Sequence, residues 1–176
     1  MPNHNKSGWI EWLKAVVIAV LVAVTLKSFV FSTSIVEGES MDPTLSDGEK
    51  IVFNKLVYNV GKPKHGDIVI IKKPYKYYVK RVIALPGETI EMKNHILYID
   101  GKQVEQSYIS QEAREKTGNF GPMTLPSESY FVMGDNRAVS KDSRNGQNGL
   151  GLIKEDEIIG KSEFIYYPIT QWSITR

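Results

Sequence analysis

The sequence contains no cysteine. That excludes disulfides, thiolate nucleophiles and cysteine metal sites, but it leaves the compartment open, because many exported bacterial proteins also lack cysteine. Histidine is scarce. His4, His65 and His95 are scattered without ligand spacing, so neither a metal nor another cofactor is expected. Charge of one sign is missing too: 22 Lys and Arg stand against 20 Asp and Glu, for a net charge of +2. With no basic run interleaved with aromatics, nucleic acid is not an expected partner. There is no internal repeat, and no long 3.6-residue hydrophobic period beyond the N-terminal region. What remains is 176 residues, 41% hydrophobic and 24% charged, enough for one globular domain with a short appendage.

One stretch departs from this balance. From Ala15 to Leu26 the chain carries only Ala, Val, Ile, Leu and one Thr, and the apolar character resumes after Lys27 with Phe29, Val30 and Phe31. Counted from Trp9 to Phe31 the span is about 20 residues, enough to cross the hydrocarbon of a bilayer as a helix. Glu11, Lys14 and Lys27 sit near its ends, where long side chains reach the interface, and Trp9 and Trp12 suit an aromatic belt. A buried soluble helix would show a polar face, which this segment lacks. A cleaved leader is a second reading, because the uninterrupted core is short and Ser32-Thr33-Ser34 supplies small residues. A retained anchor fits better, since the aromatic flank runs directly into a first strand. Lys6 and Lys14 against Glu11 give a slight positive-inside bias that Lys27 opposes, so charge alone does not orient it.

The rest reads as short strands: residues 49–54, 67–73, 77–85, 89–93, 130–133 and 163–167 are rich in Ile, Val, Tyr and Phe. Ile96-Leu97-Tyr98-Ile99, Asp100-Gly101 and Lys102-Gln103-Val104 form a hairpin pattern, because Asp-Gly tolerates the positive φ of a type I′ turn. Residues 111–116 suit one or two helical turns. Residues 106–128 read as a polar surface excursion, and 144–151 as a second polar loop. The expected fold is mainly β, with an N-terminal stub and transmembrane anchor over 1–31 and a β-rich domain over 32–176.

Three segments carry candidate chemistry. In Glu37-Gly38-Glu39-Ser40-Met41-Asp42-Pro43-Thr44-Leu45 a serine sits in a glycine-containing loop; taken alone this is an ordinary turn. In Tyr77-Tyr78-Val79-Lys80-Arg81-Val82-Ile83-Ala84-Leu85-Pro86-Gly87, strand alternation puts Lys80 with Tyr78, Val82 and Ala84, and Arg81 with Val79, Ile83 and Leu85. A lysine among apolar neighbours loses its proton more easily and becomes a general base. A strand-edge lysine in water is the commoner case, and the residues leave both readings open. Gly134-Asp135-Asn136-Arg137-Ala138-Val139-Ser140-Lys141-Asp142-Ser143-Arg144 is dense enough in polar groups for a charge-assisted network, or for nothing more than a hydrophilic loop.

Together, in this order behind an apolar segment, the three resemble the signature boxes of bacterial type I signal peptidases of the Gram-positive form. Ser40-Met41, Pro43-Thr44-Leu45, the run from Lys80 to Gly87 and the run from Gly134 to Arg144 carry the likeness, which extends from the anchor to Tyr167. The resemblance implies a signal-peptidase-like β-fold and a membrane-bound serine endopeptidase with Ser40 as nucleophile and Lys80 as general base. It implies that Ser140 hydrogen-bonds the Lys80 amine, and that Asp142 with Arg144 and Asp135 with Arg81 are structural ion pairs beside the site. It also implies secretory preproteins as substrates, cut after small residues of the Ala-x-Ala type, at the cell membrane with the N-terminus cytoplasmic.

Met41, Tyr78 and Val36 are the candidate pocket walls. Some family members place a serine hydroxyl two positions before the nucleophile as an oxyanion donor. Here Gly38 occupies that place, so the Ser40 N–H is expected to act with another backbone group. The loop from Asn145 to Gly151 reads as a few residues longer than the family's and is expected to bulge at the surface. Rival readings are a self-cleaving repressor-type Ser/Lys protease, a non-catalytic membrane-tethered binding domain, and a histidine-dependent hydrolase using His65 near Asp67. The sequence leaves the oligomeric state and the preferred preproteins undetermined.

Overall fold

The computed structural model describes residues 6–175, so His4 lies outside the described residues, as does the side chain of Lys6. Helix α1 (Lys6–Val30) includes the apolar window Gly8–Thr25, of mean hydropathy 1.8, none of it buried against the rest of the chain. At 1.5 Å per residue those 18 residues extend about 27 Å, close to the hydrocarbon thickness of a bilayer. Strand β1 (Phe31–Ile35) follows without a linker. The span to Phe31 expected from hydropathy overshoots by one residue, because Phe31 already pairs with Asn54 in the sheet.

Next in the chain come β2 (Lys50–Asn54), a single turn α2 (Val57–Val60), β3 (Ile68–Lys72), β4 (Tyr77–Ala84), β5 (Thr89–Lys93), β6 (Ile96–Ile99) and β7 (Lys102–Val104). They are followed by α3 (Gln111–Glu115), β8 (Phe120–Thr124), β9 (Ser129–Met133), β10 (Ile153–Lys154), β11 (Ile158–Tyr167) and β12 (Ser173–Ile174). The fold is mainly β, as expected. The large sheet has the order β1-β2-β11-β3-β4-β9-β10, with β12 pairing on β11, and the small sheet has the order β7-β6-β5-β8. The Asp100-Gly101 hairpin forms as its residues require, with φ of 50° and 74° at the turn.

Strand β4 is flanked on both sides, by β3 and β9, and its last five residues are buried. This position places Lys80 and Arg81 in the middle of the protein. The expected alternation along β4 holds only as far as Val82. A register shift between Val82 and Ala84 interrupts it, so Ala84 joins the cluster of Ile83 while Leu85 packs against the cluster of Val82.

Residues 106–128 are more than a surface excursion. They contain α3 and the sheet strand β8, and they bury Gln106, Ile109, Thr117 and Leu125. Strand β8 was hidden by its exposed, proline-containing sequence; only the partner strand β5 selects it. Strand β11 starts five residues before the expected 163, because Ile158–Lys161 pair with β3 before the strand passes on to β2.

Candidate active site

The Ser40 loop is pinned from both ends. Val36 N–H bonds Glu49 O, Gly48 N–H bonds Val36 O, and Gly38 N–H bonds Asp47 Oδ1 at 2.6 Å. Beneath it, Val36, Met41 and Leu45 fill one core cluster. Burying these apolar anchors turns the polar part of the loop outward and leaves Ser40 at its crest. Met41, 1% exposed, and Val36, the suggested pocket walls, belong to the core and are not among the residues lining the open cleft. Tyr78 does line the cleft.

Lys80 is 2% exposed. Its Nζ lies 2.6 Å from Ser40 Oγ and 3.0 Å from Val79 O. Burial pulls the amine down from 10.5 to about 8, against the attraction of Asp142 and Asp135 and with help from Lys76 and Arg144. The pair opens into a cleft of about 610 Å³, walled by Tyr78, Val139 and Leu150 and rimmed by Glu37, Glu39, Asp47, Lys76 and Lys141. A larger cavity, about 830 Å³, lies against α2 and β10, away from Ser40 and Lys80.

The strand β9 and the loop after it close the site from behind. Gly134 lies so near Ser40 O and Ser140 Oγ that a Cβ there would collide with both, which makes glycine a packing requirement. Asn136 N–H also bonds Ser40 O, at 3.2 Å. The ion pairs form where the motifs put them. Arg81 reaches both oxygens of Asp135, at 2.9 and 2.7 Å, and Arg144 both oxygens of Asp142, each at 2.8 Å. For Asp142 burial acts to raise the carboxyl, but Arg144 and the Gly134 N–H outweigh it and hold the group below the usual carboxylate range.

The expected bond from Ser140 to the Lys80 amine is absent. Ser140 Oγ is buried against Gly134 instead, beside the Asp142 carboxylate that it helps to hold below the usual range. The loop expected to bulge outward is only partly external: Asn145 to Asn148 are exposed, while Asn148, Gly149 and Leu150 border the cleft. His65 pairs with Glu88 Oε2 at 2.8 Å and lines grooves other than the Ser40 cleft, so it does not serve the Ser40 hydroxyl.

Two residues of the site were not singled out from the sequence. Thr44 Oγ1 donates to Asp135 Oδ2 at 2.6 Å, and the Tyr108 ring covers the Arg81 guanidinium at 4.1 Å. Thr44 falls inside the first motif and was open to notice. Tyr108 lies in a stretch read as surface.

Residues 9–167 match the family described as "Signal peptidase, peptidase S26". The chain belongs to that family. It is a serine peptidase of the type I signal peptidase class. Among its relatives, Signal peptidase I T of Bacillus subtilis (strain 168) is 49% identical, over 99% of this chain and 93% of the relative. Signal peptidase IB of Staphylococcus aureus (strain Mu50 / ATCC 700699) is 34% identical, over 95% and 94%. A crystal structure of a signal peptidase I from Enterococcus faecalis V583 aligns with a TM-score of 0.50 at 32% identity, covering 57% of this chain and 96% of that one. The match to the signal peptidase family begins inside α1 and ends at the last residue of β11, so it takes in the apolar helix as well as the cleft.

Proposed function

We propose that the chain removes signal peptides from secretory preproteins at the cell membrane, with Ser40 as nucleophile and Lys80 as general base. The observation that carries this reading is the 2.6 Å contact between a buried lysine amine and a serine hydroxyl at the edge of an open cleft. Such an amine, brought down to about 8, is free of its proton in a useful fraction of molecules near neutral pH, whereas an ordinary lysine is not.

The reaction follows from this pair. As Ser40 Oγ attacks the scissile carbonyl carbon, its proton passes to Lys80 Nζ and the carbonyl oxygen becomes an oxyanion. Among the described residues nothing accepts from the Ser40 backbone N–H, which is free to donate to that oxygen. Collapse breaks the C–N bond, and the Lys80 ammonium gives its proton to the leaving amine. Water then attacks the Ser40 ester with Lys80 again as base, releasing the signal peptide and restoring the hydroxyl. Tyr78, Val139 and Leu150 give the cleft a shallow apolar wall. Such a wall suits small side chains before the cut, the Ala-x-Ala pattern.

In this reading residues 1–31 form the cytoplasmic stub and anchor and 32–176 the extracytoplasmic domain. Tethering to the bilayer concentrates the cleft where a membrane-inserted signal segment presents its cleavage site. The test is processing of a preprotein by the purified full chain in detergent. Ser40→Ala and Lys80→Ala each abolish it while leaving the fold intact, and wild-type kcat/KM rises with pH towards about 8 before levelling. Full activity in either variant removes the dyad from the mechanism.

A further inference from the structure

Arg137 is 3% exposed, yet none of its hydrogen bonds reaches a carboxylate. Asp135 is occupied by Arg81 and Asp142 by Arg144. A buried cation without a counter-ion is costly unless dipoles replace its lost water. Two of the three replacements come from one segment. Arg137 Nη1 donates to Thr117 Oγ1 at 3.1 Å and Nη2 to the Tyr108 hydroxyl at 3.4 Å, while its Nε donates to Gly134 O at 3.2 Å. Thr117 is equipped for this role. Its hydroxyl hydrogen goes to Ala113 O, which leaves its lone pairs for the arginine. The same segment touches the other two arginines, through the Tyr108 ring on Arg81 and through Thr117 O, which accepts from Arg144 Nη1 at 3.4 Å. Buried Ile109 and Gln106 tie it down.

We propose that residues 108–117 form a strap that positions the catalytic centre, Tyr108 and Thr117 supplying by their hydroxyls the solvation that the buried Arg137 lacks. The inference rests on the Ser40/Lys80 reading. The connection runs through a short chain of contacts. Arg137 holds the Gly134 carbonyl, and Gly134 packs against Ser40 O and gives its N–H to Asp142. A strap without its hydroxyls releases Arg137 towards water, and Gly134 and the Ser40 main chain move with it. Water then reaches Lys80. The groups facing that amine are Asp142, Asp135 and Arg144 from the loop and Lys76 from the approach to β4. Glu37, Glu39, Asp47 and Lys141 rim the same cleft.

The test uses the full chain in detergent micelles, measuring kcat and KM for an internally quenched Ala-x-Ala peptide against pH, with thermal unfolding in parallel. The combined variant Tyr108→Phe/Thr117→Val keeps both side-chain shapes and removes both hydroxyls. Its kcat is expected to fall about tenfold at near-constant KM. The acidic limb of kcat/KM is expected to move to higher pH, because a rehydrated Lys80 amine holds its proton more tightly. Thr117→Ser, which keeps the hydroxyl, is expected to behave as wild type. Unchanged kcat and limb in the folded double variant, or equal damage from Thr117→Ser and Thr117→Val, overturns the strap. Should the double variant not fold, Tyr108→Phe and Thr117→Val measured singly decide by the same two readouts. Undiminished cleavage by Ser40→Ala would instead remove the dyad reading beneath the proposal.

Discussion

Lys80 shows how one side chain couples stability to chemistry. Burial lowers its amine from 10.5 to about 8, so the folded chain binds this proton more weakly than the unfolded chain does. Stability from this residue therefore increases as pH rises from about 8 to 10.5 and is lowest below that window. The gap amounts to about 3 kcal/mol. Lys80→Met, which cannot titrate, is expected to lack that rise; denaturant unfolding of both chains at the two ends of the window measures it. The opposite case is Asp135, fully buried against Arg81. Asp135→Asn leaves the guanidinium without its counter-charge, and the same unfolding assay is expected to record a loss of about 3 kcal/mol or more. In sequence, an edge-strand lysine in water was the commoner reading of Lys80, and the residues left the choice open. Neighbours distant in the chain, not the local motif, decide how buried it is.

At the scale of elements, the site depends on how the end of β9 meets the nucleophile loop. Gly134 is the point of closest approach, with Ser40 O and Ser140 Oγ where a side chain would stand. Gly134→Ala is therefore expected to push the two segments apart and lower kcat by about a hundredfold, while the unfolding transition stays cooperative. Activity near wild type would mean that the loop yields without moving Ser40. The strands were legible wherever Ile, Val, Tyr and Phe clustered, as in β3, β4 and β9. Strand β8, exposed except for a half-buried Phe120 in its Phe-Gly-Pro-Met-Thr sequence, has no such pattern, and it is a strand only because β5 offers an unpaired side. The exchange of Ala84 and Leu85 between clusters has the same origin: a register shift against β9 that strand alternation cannot anticipate.

Over the whole molecule, α1 stands apart from the domain it carries. No side chain of its apolar window is buried by the protein, and β1 begins at the residue after the helix. The domain's core clusters draw nothing from α1. Deleting residues 1–30 is thus expected to leave the melting temperature of the remainder nearly unchanged and cleavage of a short soluble peptide intact. Processing of a preprotein in vesicles is expected to drop by about a hundredfold, through loss of co-localisation. Equal loss on both substrates would show that the helix supports the fold of the cleft.

The sequence by itself determined the apolar helix and the mainly β domain, through local composition, and its three short motifs carried the family resemblance that implied the two ion pairs. Only the tertiary structure decided that Met41 and Val36 face the core, that Ser140 turns to Gly134 instead of Lys80, and that Tyr108 and Thr117 enclose Arg137. Those outcomes depend on which surfaces meet when separate strands pack. Burial, which sets both side-chain direction and the charge of an amine, is a property of that meeting.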